Sequence, residues 1–329
     1  MTKKRFFLIT GSLFIVSVVL ALALGNAKLD LVELWDVMTG QATPAQNFVL
    51  FELRMPRILA CLLAGASLGL SGLLLQTLTQ NPLADSGTLG INAGAGLLIA
   101  FALRYLPQGS YMSQVLPLFA VIGGLLVSGL IYHLAKKQQS TLDPIKFIIT
   151  GVTLSAILST SILPVVGHVE QAKLTYMLDW LSGKIMGDNW TSLSLVAPLL
   201  LILWGLIYYR SRIFDLLTLA EESSLALGLD LRKARRDLLI LTSLLVSLTV
   251  IIAGNIVFIG LLTGHMSQLF VPAGHRVRIP ATMLLGALIL LVADTLTRTF
   301  LIGNTLPTGI VVSVIGAPYF LFLMKKAQR

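Results

Sequence analysis

The fold is decided by apolar stretches such as residues 237–254, which read DLLILTSLLVSLTVIIAG. The first residue, Asp237, is the one charged residue of this stretch. As a helix it would be about 27 Å long, close to the ~30 Å thickness of the hydrocarbon core of a bilayer. Lipid offers no hydrogen-bond partner to free backbone groups, so such a segment crosses a membrane as a helix. The stretch therefore predicts a transmembrane helix.

The composition of the whole chain agrees with this prediction. Of its 329 residues, 56% are hydrophobic and 12% are charged, and the mean hydropathy is +0.87. Soluble proteins carry about 25% charged residues, so this chain has too little charge to cover a soluble globule. The same composition excludes a disordered chain, a coiled coil and collagen. A single cysteine, Cys61, excludes an internal disulfide and is expected to be a small buried side chain.

Similar apolar runs recur and predict an all-α integral membrane protein, a single transmembrane domain over residues 1–329 with about ten transmembrane helices. The first run is long for a signal peptide and is expected to be retained. With the N- and C-termini cytoplasmic, most of the 24 Lys and Arg residues fall inside, as the positive-inside rule requires. This distribution accounts for the net charge of +9 without nucleic-acid binding. The predicted spans are 6–25, 56–78, 90–106, 114–135, 145–167, 192–209, 237–254, 256–272, 280–298 and 306–324.

Signatures of nucleotide and metal chemistry are missing from the sequence. Gly183-Lys184 is followed by Ile185, so it fails the P-loop pattern. The four histidines are scattered, and we expect no metal and no cofactor bound by this chain. Asp294 is the only acid well inside a predicted span, and it lies one helical turn before Arg298. Two interpretations stay open: a local ion pair, or ion coupling in a secondary transporter.

The segment that begins the second span carries two arginines. Pro56 fits the first position of a helix, where its missing N–H costs nothing. Arg57 would then lie in the first turn and Arg54 just before it, where cations oppose the helix macrodipole. The two side chains therefore require a carboxylate, which is either Glu52 or an acidic group on a docking protein.

The longest predicted inside loop, about 211–236, has the pattern of short helices. Thr218 and Glu221 form a candidate capping box, and Gly228 fits the stop of that helix. Asp230 is expected to cap a second short helix that ends at the arginines before the next span. Helices of this length are marginal in water, so they are expected to pack on lipid headgroups or on a cytoplasmic partner.

The fifth predicted span carries hydroxyl side chains at helical spacing. Ser155 and Ser159 lie one turn apart on one face, beside Thr160. Side chains of this type either form hydrogen bonds between helices or line a pathway through the membrane.

Six segments, taken in order, resemble the FecCD-type permease family, the membrane subunits of ATP-binding cassette (ABC) importers for iron–siderophore complexes, haem and cobalamin. The resemblance covers roughly residues 50 to 325, and the ordered set is far more specific than any one motif. The segments are 54–57 (RMPR), 76–84 (QTLTQNPLA), 254–261 (GNIVFIGL), 293–298 (ADTLTR), 306–311 (LPTGIV) and 316–320 (GAPYF).

This resemblance implies the permease fold of type II ABC importers, in the cytoplasmic membrane of a bacterium. It also implies a second permease subunit, an extracytoplasmic binding protein, and two cytoplasmic ATPases that bind ATP and Mg. The chain itself would then be a transport subunit and not an enzyme, which explains the missing P-loop. The lipid bilayer is the remaining partner, and no nucleic acid is expected.

The resemblance also implies roles for particular residues. Arg54, Arg57 and Arg298 match arginines of the outer face that dock the binding protein. Matches to the ATPase-coupling loop are Thr218, Glu221, Glu222, Leu227 and Gly228. The gate is expected at Ser155, Ser159 and Thr160. Structural motif positions are Gln76, Asn81, Pro82, Gly260, His265, Asp294, Pro307, Gly309 and Pro318.

The sequence departs from the family pattern at several positions. Gly264 stands for a usual proline and Gln268 for a usual arginine, while His265 is kept. Ala220 and Ser224 replace a usual Gly and Ala in the coupling loop. These departures favour one of two non-identical permeases in a heterodimer, with a homodimer as the alternative.

The resemblance favours a ferric siderophore as the transported substrate, of the hydroxamate type. Haem and cobalamin are the alternatives within the family. From another class, the alternative is a secondary transporter that uses Asp294.

Overall fold

The computed structural model is almost entirely helical. It describes residues 2–24, 31–107, 112–136, 142–167, 169–187, 189–272, 274–300 and 306–327. The helices are α1 (Lys3–Ala23), α2 (Leu31–Thr39), α3 (Pro44–Phe48), α4 (Met55–Thr79), α5 (Ile91–Tyr105), α6 (Met112–Leu134), α7 (Pro144–Val166), α8 (Gln171–Leu181), α9 (Trp190–Tyr209), α10 (Ser211–Leu217), α11 (Glu221–Ala226), α12 (Leu231–Ala253), α13 (Ile259–Phe270), α14 (His275–Phe300) and α15 (Thr308–Ala327). A π-helical turn, Val49–Arg54, joins α3 to α4.

Within the described residues, 8 helical runs are long and apolar enough to cross a membrane. They correspond to eight of the predicted spans and confirm the membrane-spanning, all-α class. The runs are Lys3–Ala23, Pro44–Thr79, Gln114–Leu134, Pro144–Val166, Trp190–Tyr209, Leu231–Ala253, His275–Thr299 and Thr308–Lys325. The count of ten crossings and the cytoplasmic position of both termini stay predictions.

The other two predicted spans, 90–106 and 256–272, correspond to short helices. α5 has 15 residues and α13 has 12. Their lengths of about 22 and 18 Å fall short of a full crossing. Each of the two helices is preceded by a non-helical segment that lies largely inside the protein.

Hydrogen bonds connect these two buried segments. The Asp85 carboxylate accepts hydrogen bonds from the backbone N–H groups of Gly87 (3.2 Å) and Phe258 (3.4 Å). Asn92 Nδ2 donates to Asn255 Oδ1 at 3.0 Å. Non-helical backbone is tolerated at membrane depth when protein surrounds it, and both segments meet that condition.

The centre of the molecule is the close pair formed by α4 and α14. A Cβ at Gly65 would lie 2.3 Å from the Gly286 carbonyl oxygen, so the two backbones touch. A Cβ at Gly72 would lie 2.2 Å from the carbonyl oxygen of Gly260, which brings α13 equally close. Small residues permit such contacts between transmembrane helices.

Two of the spanning helices, α7 and α15, are mostly uncovered by the rest of the chain. In α7 only 11% of the apolar window is buried, and in α15 only 28%. Large apolar side chains such as Ile149, Val314 and Phe322 are exposed on them. These helices therefore face lipid or another subunit.

Candidate docking and coupling sites

A buried carboxylate joins three helices beside the predicted docking segment. Asp294 of α14 has no exposed surface. Arg57 of α4 donates to its Oδ1 atom through Nη2 at 3.0 Å, and Arg298 donates to Oδ2 through Nε at 2.9 Å. Thr308, at the start of α15, donates to Oδ1 at 3.0 Å. The local pair of Asp294 with Arg298 is confirmed, and Arg57 and Thr308 are partners that the sequence did not reveal.

Arg54, in contrast, points into the protein. Its side chain is 4% exposed and donates hydrogen bonds to the carbonyl oxygens of Leu22 and Ala23, at the end of α1. A cation is favourable at a helix C-terminus, where unpaired carbonyls carry partial negative charge. The outward-facing position predicted for Arg54 is therefore not the one in this structure.

The helix start predicted at Pro56 is also different. Pro56 lies in the first turn of α4, as predicted, yet the chain is already helical from Pro44 onward. The π-helical turn Val49–Arg54 joins the preceding helical residues to α4. The helix therefore continues through Pro56 although this proline has no N–H to donate. Arg57 consequently does not lie at a free helix N-terminus. The carboxylate predicted for it is present, but it is Asp294 of α14, which neither alternative named.

The predicted coupling loop folds into two short helices and the start of a long one. The capping box was wrong: Ala220 is the N-cap of α11, and the Thr218 hydroxyl donates to the Asp215 carbonyl at 2.7 Å instead. Gly228 ends α11 with a φ of +80°, as predicted. Asp230 caps the next helix by accepting from Lys233 N at 3.0 Å, but that helix is α12, which continues into the membrane.

α11 is fixed to its neighbours on one side and exposed on the other. Ser224 is fully buried and donates to the Leu216 carbonyl at 2.8 Å. Glu221 binds the largely buried Arg235 of α12 at 2.7 Å. Leu225 and Leu227 are 57% and 64% exposed. The helix thus presents an apolar surface from a fixed base, and Glu222 is also exposed.

The predicted gate residues of α7 lie in different surroundings. Ser155 is partly buried and donates to the Gly87 carbonyl at 3.1 Å, which is a contact between segments. Ser159 and Thr160 are exposed, and the Thr160 hydroxyl donates to the Ala156 carbonyl of its own helix at 2.9 Å. Ser155 thus bonds to the non-helical segment before α5, which neither alternative described, while the other two lie on the uncovered surface of α7.

The unusual Gly264 and Gln268 have a structural explanation in Gln76. Gln268 Nε2 donates to Gln76 Oε1 at 3.0 Å. A Cβ at Gly264 would lie 2.5 Å from the same oxygen, so glycine leaves the room that the buried amide occupies. Both departures from the family pattern therefore contact the same side chain, Gln76: Gln268 binds its amide, and Gly264 leaves space for it.

The remaining motif residues shape turns and close contacts. Asn81 Oδ1 accepts from Leu83 N at 2.9 Å and forms the turn around Pro82. Gly309, two residues after Pro307, donates its N–H to the Gly183 carbonyl at 2.9 Å. The last two motif residues lie in or against α15. The His265 ring packs edge-on against Tyr319, and Pro318 lies inside α15.

No group of three or more His, Cys, Asp and Glu side chains that could hold a metal ion occurs in the part of the chain that the structure describes. The geometry instead shows a helical membrane bundle with a buried ionic cluster and a short exposed helix that ends in two exposed leucines. The class defined by these features is a membrane-spanning transport subunit.

Comparison with known proteins agrees with this class. Residues 13–326 match the FecCD transport family, and the chain belongs to that family. It is an ABC importer permease. The iron(3+)-hydroxamate import permease FhuG of Bacillus subtilis (strain 168) is 35% identical over 97% of this chain and 96% of its own. The vitamin B12 import permease BtuC of Escherichia coli O127:H6 is 35% identical over 99% and 96%.

A solved structure is similar over the same extent. It is an inward-facing, metal-chelate type ABC transporter, with a TM-score of 0.82 and 27% sequence identity over 99% of this chain and 100% of that chain. The resemblance drawn from the six sequence segments is therefore confirmed.

Proposed function

We propose that this chain is the permease subunit of a bacterial importer for a ferric siderophore, with a hydroxamate type favoured. An extracytoplasmic binding protein delivers the substrate, and two cytoplasmic ATPases, which bind ATP and Mg, drive its transport. The cytoplasmic membrane of a bacterium is the proposed location. The similarity to FhuG over 97% of the chain supports the substrate. Cobalamin stays an alternative because BtuC is equally identical, and haem is the third candidate.

The observation that carries the ATP-driven function is the position of α11. Its exposed leucines lie on a helix that buried Ser224 and Arg235 hold in place. A short helix that is fixed at its base and exposes leucines at its C-terminal end suits docking into a groove of a partner protein. Movement of an ATPase would then be transmitted to the permease through α11.

The charge around Asp294 supports docking of the binding protein at the other membrane face. Two arginines share this carboxylate, and Arg298 Nη2 is buried without a hydrogen-bond partner among the described residues. A carboxylate of the binding protein would bind the Arg298 guanidinium. Arg298→Gln should then weaken binding of the loaded binding protein to the importer complex; an unchanged affinity would contradict this docking site.

Ion coupling through Asp294 is disfavoured by the same geometry. The carboxylate is bound by Arg57, Arg298 and Thr308, so it is not free to take up and release a cation. A secondary transporter would also work without any ATPase, and its uptake would stop when the proton gradient collapses.

Uptake of labelled ferric hydroxamate in cells that lack this gene tests the substrate, with haem and cobalamin measured in parallel. We expect loss of ferric-hydroxamate uptake alone, restored by the gene. Loss of only haem or cobalamin uptake would replace the substrate and keep the importer. Uptake that persists without the ATPase would overturn the ATP-driven function.

A further inference from the structure

A chain of hydrogen bonds, centred on the buried His275, links the segment before α11 to the core of the bundle. Asp215 of α10 accepts from His275 Nδ1 at 2.8 Å, and His275 Nε2 lies 2.7 Å from Thr77 Oγ1. His275 is 1% exposed, and its ring packs edge-on against Phe214. One residue from each of α10, α14 and α4 therefore contributes to a single chain of contacts.

Asp215 also binds the backbone of α14. Its Oδ1 atom accepts from His275 N at 2.7 Å, and His275 is the first residue of that helix. A carboxylate here pairs with the positive end of the helix dipole. A Cβ at Gly274 would lie 2.8 Å from Asp215 Oδ2, so the glycine permits this approach. α10 is thus attached to α14 by main chain and side chain together.

The helices at the far end of this linkage form one stiff unit. α4 and α14 touch through Gly65 and Gly286, so the two backbones cannot slide without separating. At the other end of the pair, Arg57 of α4 binds Asp294 of α14. The pair is therefore joined at both ends by side chains and in the middle by backbone contact.

We propose that Asp215, His275 and Thr77 form a coupling linkage, which transmits displacement of α11 to the α4–α14 pair. α11 is attached to α10 because Ser224 Oγ donates to the Leu216 carbonyl at 2.8 Å, so displacement of α11 would act on α10. The three side chains are positioning residues that contact no substrate. They determine how much of the ATP-driven displacement of α11 is transmitted to α4 and α14. This inference rests on the proposed ATP-driven function.

The arrangement of a hydroxyl, an imidazole and a carboxylate also occurs in hydrolases. Here Thr77 is 7% exposed, inside α4, and its hydroxyl lies 2.9 Å from the Leu73 carbonyl of the preceding turn. A nucleophile needs an accessible oxygen, which Thr77 does not have. The geometry points to a mechanical linkage instead.

The test uses the full importer complex in proteoliposomes, with ATP hydrolysis and ferric-hydroxamate uptake measured in the same vesicles. Thr77→Val keeps the shape of the side chain and removes the contact with His275. His275→Phe keeps a ring against Phe214 and removes both ring hydrogen bonds. The control is Thr242→Val, because Thr242 is equally buried but donates only to the Leu238 carbonyl of its own helix.

We expect both linkage variants to assemble and to keep basal ATP hydrolysis, while the ATP consumed per substrate imported rises several-fold. The control should keep the wild-type ratio. Wild-type ratios in both linkage variants would overturn the proposal. If His275→Phe does not assemble, Thr77→Val alone decides the outcome. A wild-type complex without ATP-dependent uptake would instead contradict the proposed function, so the two failures are distinguishable.

Discussion

At the scale of single residues, Asp294 is the side chain whose loss should cost most. Asp294→Asn leaves Arg57 and Arg298 partly buried without their shared counter-charge. Breaking a buried ion pair from one side costs about 3–5 kcal/mol of unfolding free energy. We expect a clearly lower midpoint of thermal unfolding for the purified chain in detergent.

A second ion pair provides the control for this prediction. Lys184 and Asp179 are 34% and 31% exposed in their pair, so solvent screens the interaction. Asp179→Asn should cost about 0–1 kcal/mol. Equal midpoints for the two variants would mean that Asp294 does not hold the helices together.

Gly264 offers a separate test at the same scale. A methyl group at this position requires the Gln76 amide to move, and that movement breaks its hydrogen bond with Gln268. Gly264→Ala should therefore destabilise the chain by about 1–3 kcal/mol, the usual cost of overpacking. Adding Gln76→Ala removes the clash, so thermal unfolding should show that the two changes are not additive.

The matched control is Gly205→Ala in α9, where an added Cβ would meet nothing within 4 Å. Its effect should be neutral or slightly stabilising, since alanine favours a helix over glycine. Strictly additive costs for Gly264→Ala and Gln76→Ala would contradict the proposed relation between these residues.

Residue partners illustrate what sequence alone could predict. The contact of Asp294 with Arg298 follows from their spacing of four residues in one helix. Arg57 lies 237 residues away from Asp294 and could not be paired by any local rule. The same holds for Gln76 with Gln268, where the sequence showed two departures from a family pattern but not the side chain that relates them.

At the scale of secondary-structure elements, α11 has an exposed surface that can be changed without disturbing the fold. Leu227→Asp places a charge on a side chain that is 64% exposed, so the fold should tolerate it. Docking of this position into an apolar groove of a partner should not tolerate it, because the carboxylate would lose its hydration. We expect uptake and co-purification of the ATPase to be lost, with an unchanged unfolding midpoint of the chain.

Leu227→Met is the control, because it keeps an apolar side chain of similar volume and should keep uptake. Extending the test to Glu221→Lys with Leu227→Asp also removes the ion pair with Arg235. ATPase stimulation by the binding protein that survives in this double variant would contradict the coupling role of α11.

The elements also show where apolar patterning stops being informative. Hydropathy located eight membrane-crossing runs correctly, because each is long and continuous. It also placed breaks near the starts of α5 and α13, at residues 90 and 256, but it could not show how the polar groups of these breaks are satisfied inside the protein. The breaks depend on tertiary hydrogen bonds, such as that from Phe258 N to Asp85, and on the positive φ of Gly90.

At the scale of the whole molecule, the uncovered helices indicate that the chain works in an assembly. α7 is the least buried of the spanning helices, and it exposes Ser159 and Thr160 beside large apolar residues. A second permease subunit is the natural cover for such a face, and the membership of the chain in an ABC importer family implies an assembly. Whether that subunit is another copy or a related chain is a separate question.

We predict a heterodimer, because Gly264 and Gln268 depart from the family pattern that a partner chain could retain. The measurement uses cells that express this chain in two differently tagged forms, together with the rest of the importer. Purification through one tag should recover a second, related permease and not the other tagged form. A chain that carries both tags controls for access to each tag. Recovery of the two tagged forms together, after purification in mild detergent, would establish a homodimer and overturn the prediction.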